Sequence, residues 1–232
     1  MNSYIALDME ATGLSPRRDK IIELGAVKVT EGETAAEFST FVNPGRPLDE
    51  RITELTGITD DDLKDAPYID TVIGDFADFC GDLPIVGHHV ISDFSIIKQA
   101  AVNQKLSFEK EAVDTLKLSR ALLPELPSKK LKDVCEYYGI IFTAHRAIND
   151  ARATNELYKC LERDFYLKYP ELFVPAKLNH KVKKESPVRA NQTERIISIC
   201  ERHGLECAYD FEHMTMSEAG RLIDNLISKY GK

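Results

Sequence analysis

The stretch "YIALDMEATGL", residues 4–14, decides how the rest of the chain is read. Its apolar, β-prone residues predict the first strand of a sheet. Asp8 and Glu10 interrupt it, and a bare carboxylate in a core is costly. Two apart on a strand, their side chains leave the same face. Like charges so placed share a proton or hold a cation. Ligands that are all oxygen favour Mg²⁺ or Mn²⁺ over zinc. On this pair alone, salt bridges or an edge-strand position explain the acids at least as well.

Working outward, "IIELGAVKV" (21–29) and "AAEFSTFV" (35–42) predict two further strands, with Glu31-Gly32-Glu33 as the hairpin turn. "NPGRPL" closes this meander. Thr59 with Asp62 marks a helix start, and a helix is expected at 70–80. "LPIVGH" (83–88) reads as a short buried strand, followed by helical spacing at residues 94, 97, 100 and 101. "EAVDT" is another short strand, and Asp114 can cap the helix after it. Ser128 is expected to cap "KKLKDVCEYYG", and a last helix of this part spans about 150–167. A strand meander followed by alternating strands and helices predicts an α/β fold, a mixed sheet flanked by helices.

Residues 169–190 hold Pro170, Pro175 and Pro187 and a run of lysines, and read as a basic linker. Residues 191–232 read as a small helical module: an amphipathic helix from Thr193 to His203, then a second one opened by the capping box Thr215 and Glu218. Cys200, His203, Cys207 and His213 match no zinc-finger spacing and read as packing of a small core.

The 232 residues are 43% hydrophobic and 29% charged, as in ordinary globular proteins. No apolar run is long enough for a membrane span, and the chain opens straight into its first strand without a basic-then-apolar leader. Five scattered cysteines do not form a disulfide framework, which points to a reducing, cytoplasmic compartment. The net charge is −8, and the deficit lies in residues 1–168. An acidic domain binds nucleic-acid backbone poorly by itself, so bound metal ions would supply part of the positive charge.

Two more stretches carry acids at element ends. "GHHVISDFSII" places Asp93 at the start of a helix just after a buried strand. "HRAINDARAT" places Asp150 in a first helical turn, with His145 five residues before it in a loop. An acid in a first turn can be merely dipole-stabilising. Four acids from separate segments, joined by a positioned histidine, are less easily explained that way.

Asp8-x-Glu10, Asp93 and His145-x₄-Asp150 resemble the three motifs of the DEDDh 3′→5′ exonucleases. This ribonuclease H-like family includes the proofreading epsilon subunit of bacterial DNA polymerase III. The likeness covers about residues 1–168 and extends to "LDMEATGL", "IIELGAVKV", "FVNPGRPL", "TGIT" and "HRAINDARAT". It implies two divalent metal ions, Mg²⁺ or Mn²⁺, held by Asp8, Glu10, Asp93 and Asp150, with His145 taking the proton from the attacking water. It implies contact of Thr12, Gly13 and Leu14 with the terminal nucleotide, a turn being the plain alternative. His88 and His89 occupy the place of the family's usual His-Asn and are expected near substrate. Ala11 stands where a Thr is common.

The expected activity is therefore release of nucleoside 5′-monophosphates from 3′ ends, with DNA favoured over RNA. A DNA polymerase or repair protein is an expected partner, and no membrane is. The rivals are an RNA-trimming exonuclease and a catalytically silent module that binds nucleic acid or a polymerase.

Overall fold

A computed structural model describes residues 1–231; Lys232, the end of the expected module, lies outside the described residues. The meander forms as read: β1 (Tyr4–Ala11), β2 (Ile21–Thr30) and β3 (Glu33–Phe41) pair antiparallel in sequence. On the other side of β1 lie β4 (Ile85–Gly87) and β5 (Glu111–Asp114), both parallel to it. A sixth strand, β6 (Ala176–Lys177), closes the order β3-β2-β1-β4-β5-β6 and runs antiparallel to β5. The fold is thus the mixed α/β sheet expected, flanked by helices.

Alternation along β1 builds two cores. Ile5, Leu7 and Met9 face one way and pack with Phe76 and Ile73 of α3 (Ile69–Cys80) and with Phe94 and Ile97 of α4 (Ile91–Asn103). Tyr4 and Ala6 face the other way, onto a layer of three helices. These are α5 (Thr115–Leu122), α6 (Leu131–Tyr137) and α7 (Ala147–Phe165). Each fully buried Leu or Ile contributes about 1.5–3 kcal/mol. Asp8 and Glu10 share the face of Tyr4 and Ala6, so they look toward α7. That helix lies close because Ala147, Ala151 and Ala153 form part of its buried stripe.

Several boundaries differ from the sequence reading. Helix α1 (Glu50–Thr56) was not foreseen, although Asp49 caps it through the Arg51 N–H and Gly57 ends it at φ 71°. Thr59 and Asp62 do form a capping box, on a single turn, α2 (Asp60–Leu63). Ser128 does not cap α6. Its hydroxyl bonds the Asp133 carboxylate instead, and the helix starts after Lys130. Asp114 caps α5 as read, accepting from the Leu116 and Lys117 N–H groups.

The stretch read as linker contains regular structure at its start. A 3-10 turn (Pro170–Phe173) buries Phe173 in the α7-side core, and β6 follows at once. Prolines are compatible with such an edge, because only part of the segment donates to a ladder. The helical module then comprises α8 (Ala190–Arg202) and α9 (Met216–Tyr230), packed through Ile196, Ile199, Cys200, Ala219, Ile223 and Leu226. Cys200 sits in this small core, whereas His213 leaves it and stacks on Tyr68 of the sheet domain. Among the described residues, no helix is long and apolar enough to cross a membrane.

Candidate active site

Carboxylate oxygens of Asp8, Glu10 and Asp150 lie within 4.8 Å of one another. The strand supplies the first two and the first turn of α7 supplies the third. Asp93, in the first turn of α4, is not within that trio, yet its charge acts on Asp8. Burial, then the charges of Asp93, Asp150 and Glu10, push Asp8 well above the ordinary carboxylate range. Burial and the charges of Glu10 and Asp114 do the same to Asp93. Glu10 is raised to about 7 by burial, with Asp150 and Glu23 adding to it. Four acids thus crowd one end of β1 and raise one another's pKa values, a repulsion that shared protons or a cation would relieve.

Asp150 has a structural task as well. One of its oxygens accepts the Arg146 N–H at 3.0 Å, tying down the entry to α7. Burial raises its pKa, while that N–H and the His145 charge oppose the rise. His145 is exposed on the loop just before α7, with φ 65° in the left-handed region. Such a conformation is uncommon for a residue with a Cβ.

Two residues that sequence reasoning passed over bring α7 to the strand. Glu23 on β2, the register partner of Glu10, is 1% exposed. Its carboxylate holds the Arg146 guanidinium at 3.1–3.3 Å and accepts the Ala147 N–H at 3.0 Å. Gly25, the partner of Asp8, lies directly under the α7 backbone. The available signal was the one that drew attention to Asp8: an acid inside an apolar strand, and a glycine where a strand prefers a side chain.

The expected substrate residues divide. His88 turns inward. Its Nε2 donates to the Lys129 carbonyl at 2.8 Å and its Nδ1 accepts the Thr115 hydroxyl at 2.9 Å. Burial lowers its pKa, which fits that neutral form. Both ring nitrogens are therefore engaged inside the protein. His89 is exposed at φ 69°, and its N–H donates to Asp114 at 3.0 Å. The Asn usual in the family tolerates that left-handed backbone well, and His tolerates it better than most residues.

Thr12 is also occupied: its hydroxyl accepts the Lys20 N–H at 2.9 Å and the Arg46 guanidinium at 2.7 Å. At Gly13 a Cβ would stand 2.6 Å from an Asp19 oxygen, so a side chain there would displace the Asp19 carboxylate. Leu14 beside it is 86% exposed, an uncovered apolar side chain four residues from Glu10 and six from Asp8.

A mixed sheet flanked by helices, with acids gathered at the end of its central strand and on the helix packed against it, is a ribonuclease H-like fold. The chain belongs to the RNase T exonuclease family, whose model matches residues 5–158. Over 169 residues it is 36% identical to the DNA polymerase III subunit epsilon of Aquifex aeolicus, covering 72% of this chain and 84% of that protein. It is 43% identical over 166 residues to the PolC-type DNA polymerase III of Bacillus subtilis, covering 70% of this chain. The chain spans only about a tenth of the length of such PolC relatives, 12% in that case. Among solved structures, Escherichia coli exonuclease I in complex with a dT13 oligonucleotide superposes with a TM-score of 0.64. The identity is 19%, over 75% of this chain and 43% of that one. Exonuclease X in complex with 5′ overhanging duplex DNA gives 0.57 at 23% identity, over 70% of this chain and 92% of that one. These structural likenesses establish the fold.

Proposed function

We propose that this chain is a metal-dependent 3′→5′ exonuclease that releases nucleoside 5′-monophosphates from DNA 3′ ends. The observation that carries this reading is the oxygen cluster of Asp8, Glu10 and Asp150 within 4.8 Å, at acids whose pKa values are raised. The donor set fits hard divalent cations. It contains oxygen only, and the nearest guanidinium, Arg146, is already held by Glu23.

Asp8, Glu10, Asp93 and Asp150 would hold two ions, Mg²⁺ or Mn²⁺. Bound there, the ions supply the positive charge that stabilises a phosphodiester under attack. His145, exposed on the loop before α7, would accept the proton of the attacking water, a task suited to neutral imidazole. Leu14 would pack on the terminal base. The Thr12–Gly13 turn would shape the pocket through its backbone. His89 would face the strand end, while His88 holds the loop behind it.

The DNA preference rests on the DNA polymerase III relatives, and a polymerase or repair protein is the fitting partner for a 3′-end trimmer. We assign the catalytic domain to the sheet and its flanking helices, and the residues from Ala190 onward to a separate module.

The test uses 5′-labelled single-stranded DNA and RNA of one sequence, with Mg²⁺, Mn²⁺ or EDTA. DNA should shorten from its 3′ end in either metal and stay intact in EDTA. Faster RNA shortening would make the chain an RNA-trimming enzyme. Binding without cleavage would make it a silent module.

A further inference from the structure

The helical module does not hang free. Lys20 pairs with Glu218 at 3.1 Å, Arg17 with Glu185 at 3.1 Å, and Arg221 donates to the Arg17 carbonyl at 3.3 Å. His213 stacks on Tyr68 at 3.6 Å and lies 3.5 Å from the Asp70 carboxylate. Between module and sheet domain, these contacts leave a cleft of about 890 Å³. Its floor is the Thr12–Gly13 turn that follows the acids of β1.

The charge of this cleft is opposite to that of the chain. Arg18, Lys20, Arg46, Arg51 and Arg221 line it, with Asp19, Asp210, Glu218 and Asp224. Two of the acids are already matched by permanent cations: Asp19 by Arg46 at 3.7 Å and Glu218 by Lys20 at 3.1 Å. Among the described residues, Arg18, Arg51 and Arg221 have no acid partner within salt-bridge distance, against Asp224 and Asp210, the latter hydrogen-bonded to His213. Unmatched guanidiniums on a protein of net charge −8 are suited to phosphate, which they bind in a forked geometry. Apolar faces are present too: Tyr209 and Leu222 line the cleft, and the exposed Leu14 follows Gly13. Cations along a groove with aromatic and apolar faces are the composition that binds single strands without sequence preference.

We propose that this cleft carries the backbone of the single-stranded nucleic acid leading to the active site, with Arg18, Arg51 and Arg221 on its phosphates. The module thereby forms one wall of the strand path. This inference rests on the exonuclease reading, since it places the 3′ end at the acids.

The test is binding of a fluorescent dT12 to the full chain in EDTA, followed by anisotropy across a salt series. Removing one phosphate contact lowers the steepness of log K against log salt by about 0.7 for a single strand. Arg18→Gln, Arg51→Gln and Arg221→Gln combined should lower it by about 2 and weaken binding at least about tenfold. Arg51→Gln alone, on an exposed side chain, should lower it by about 0.7 and guards against misfolding of the triple variant. Lys105→Gln, Lys117→Gln and Lys132→Gln combined, all outside the cleft, should leave the slope unchanged. Equal slopes for the two triple variants, or no binding of dT12 by the unaltered chain, would overturn the proposal. Because binding is read without metal, a chain that binds dT12 through these arginines yet fails to cleave it would refute only the exonuclease reading.

Discussion

Gly25 and Ala147 are in backbone contact: a Cβ built at Gly25 would stand 2.2 Å from the Ala147 carbonyl carbon. The pair joins β2 to the first turn of α7. It sits where Asp8 lies across the ladder from Gly25, so it sets how near Asp150 comes to Asp8 and Glu10.

Gly25→Ala must therefore push α7 outward. Overpacking of this kind costs about 1–3 kcal/mol, and the displaced helix takes Asp150 with it. The expected outcome is a lower melting temperature together with a fall in kcat of at least about a hundredfold. A folded variant with undiminished kcat would show that the approach of α7 does not position the acids.

Asp8→Ala removes the acid most crowded by its neighbours. Metal-supported charge stabilisation is usually the largest catalytic contribution, so kcat should fall by at least about a hundredfold. In EDTA the same variant should melt higher than the unaltered chain, because burial and four neighbouring carboxylates disfavour the Asp8 charge. Thermal melts with and without EDTA, beside a single-turnover assay, check both halves.

The raised pKa of Glu10 carries a sign. Its folded value of about 7 stands above the ordinary 4.5, so the folded state binds a proton that the unfolded chain has already released. That contribution is fully present below about pH 4.5 and is lost as pH rises through about 7. In EDTA, stability should decline across this window. Glu10→Gln should flatten the decline, and saturating Mg²⁺ or Mn²⁺ should offset it in the unaltered chain. Denaturant midpoints measured at intervals from pH 4.5 to 7.5 would reveal an unchanged slope in Glu10→Gln if the assignment were wrong.

His145→Ala should lower the rate by about two to four orders of magnitude, the range for loss of a positioned proton acceptor. Metal affinity should be nearly unaffected, because the side chain is exposed and lies outside the oxygen cluster. Calorimetric titration with Mn²⁺ and a rate measurement at saturating metal separate the two effects. A rate close to that of the unaltered chain would make His145 an ordinary loop residue.

Shortening the chain has two distinct outcomes according to the cut. Ending after Asn179 retains Phe173 and β6, and should leave a folded sheet domain that binds metal. Ending after Lys168 removes Phe173, which is 2% exposed in the α7-side core, and strips β5 of its antiparallel neighbour. Loss of such an aromatic costs about 3–5 kcal/mol, so the shorter form should melt far lower or aggregate. Equal melting temperatures for the two forms would place the domain boundary back at residue 168.

The alternation of β1 already put Asp8 and Glu10 on one face, because a strand's period of two is a local property of the backbone. The motif spacing likewise carried Asp93, His145 and Asp150, and the capping residues Thr59, Asp114 and Thr215 marked helix starts through bonds only two or three residues long. Nothing local could show which distant backbone α7 would touch. Its closeness depends on Gly25 having no side chain and on Glu23 holding Arg146 and Ala147 from more than 120 residues away. Nor could spacing show that His88 and Thr12 have their polar atoms engaged internally, or that a proline-containing stretch adds a strand to the sheet. The local pattern determined which groups are available for chemistry. Packing between segments far apart in the chain decided which of them meet, and where the module leaves a cleft lined by arginines at the Thr12–Gly13 turn.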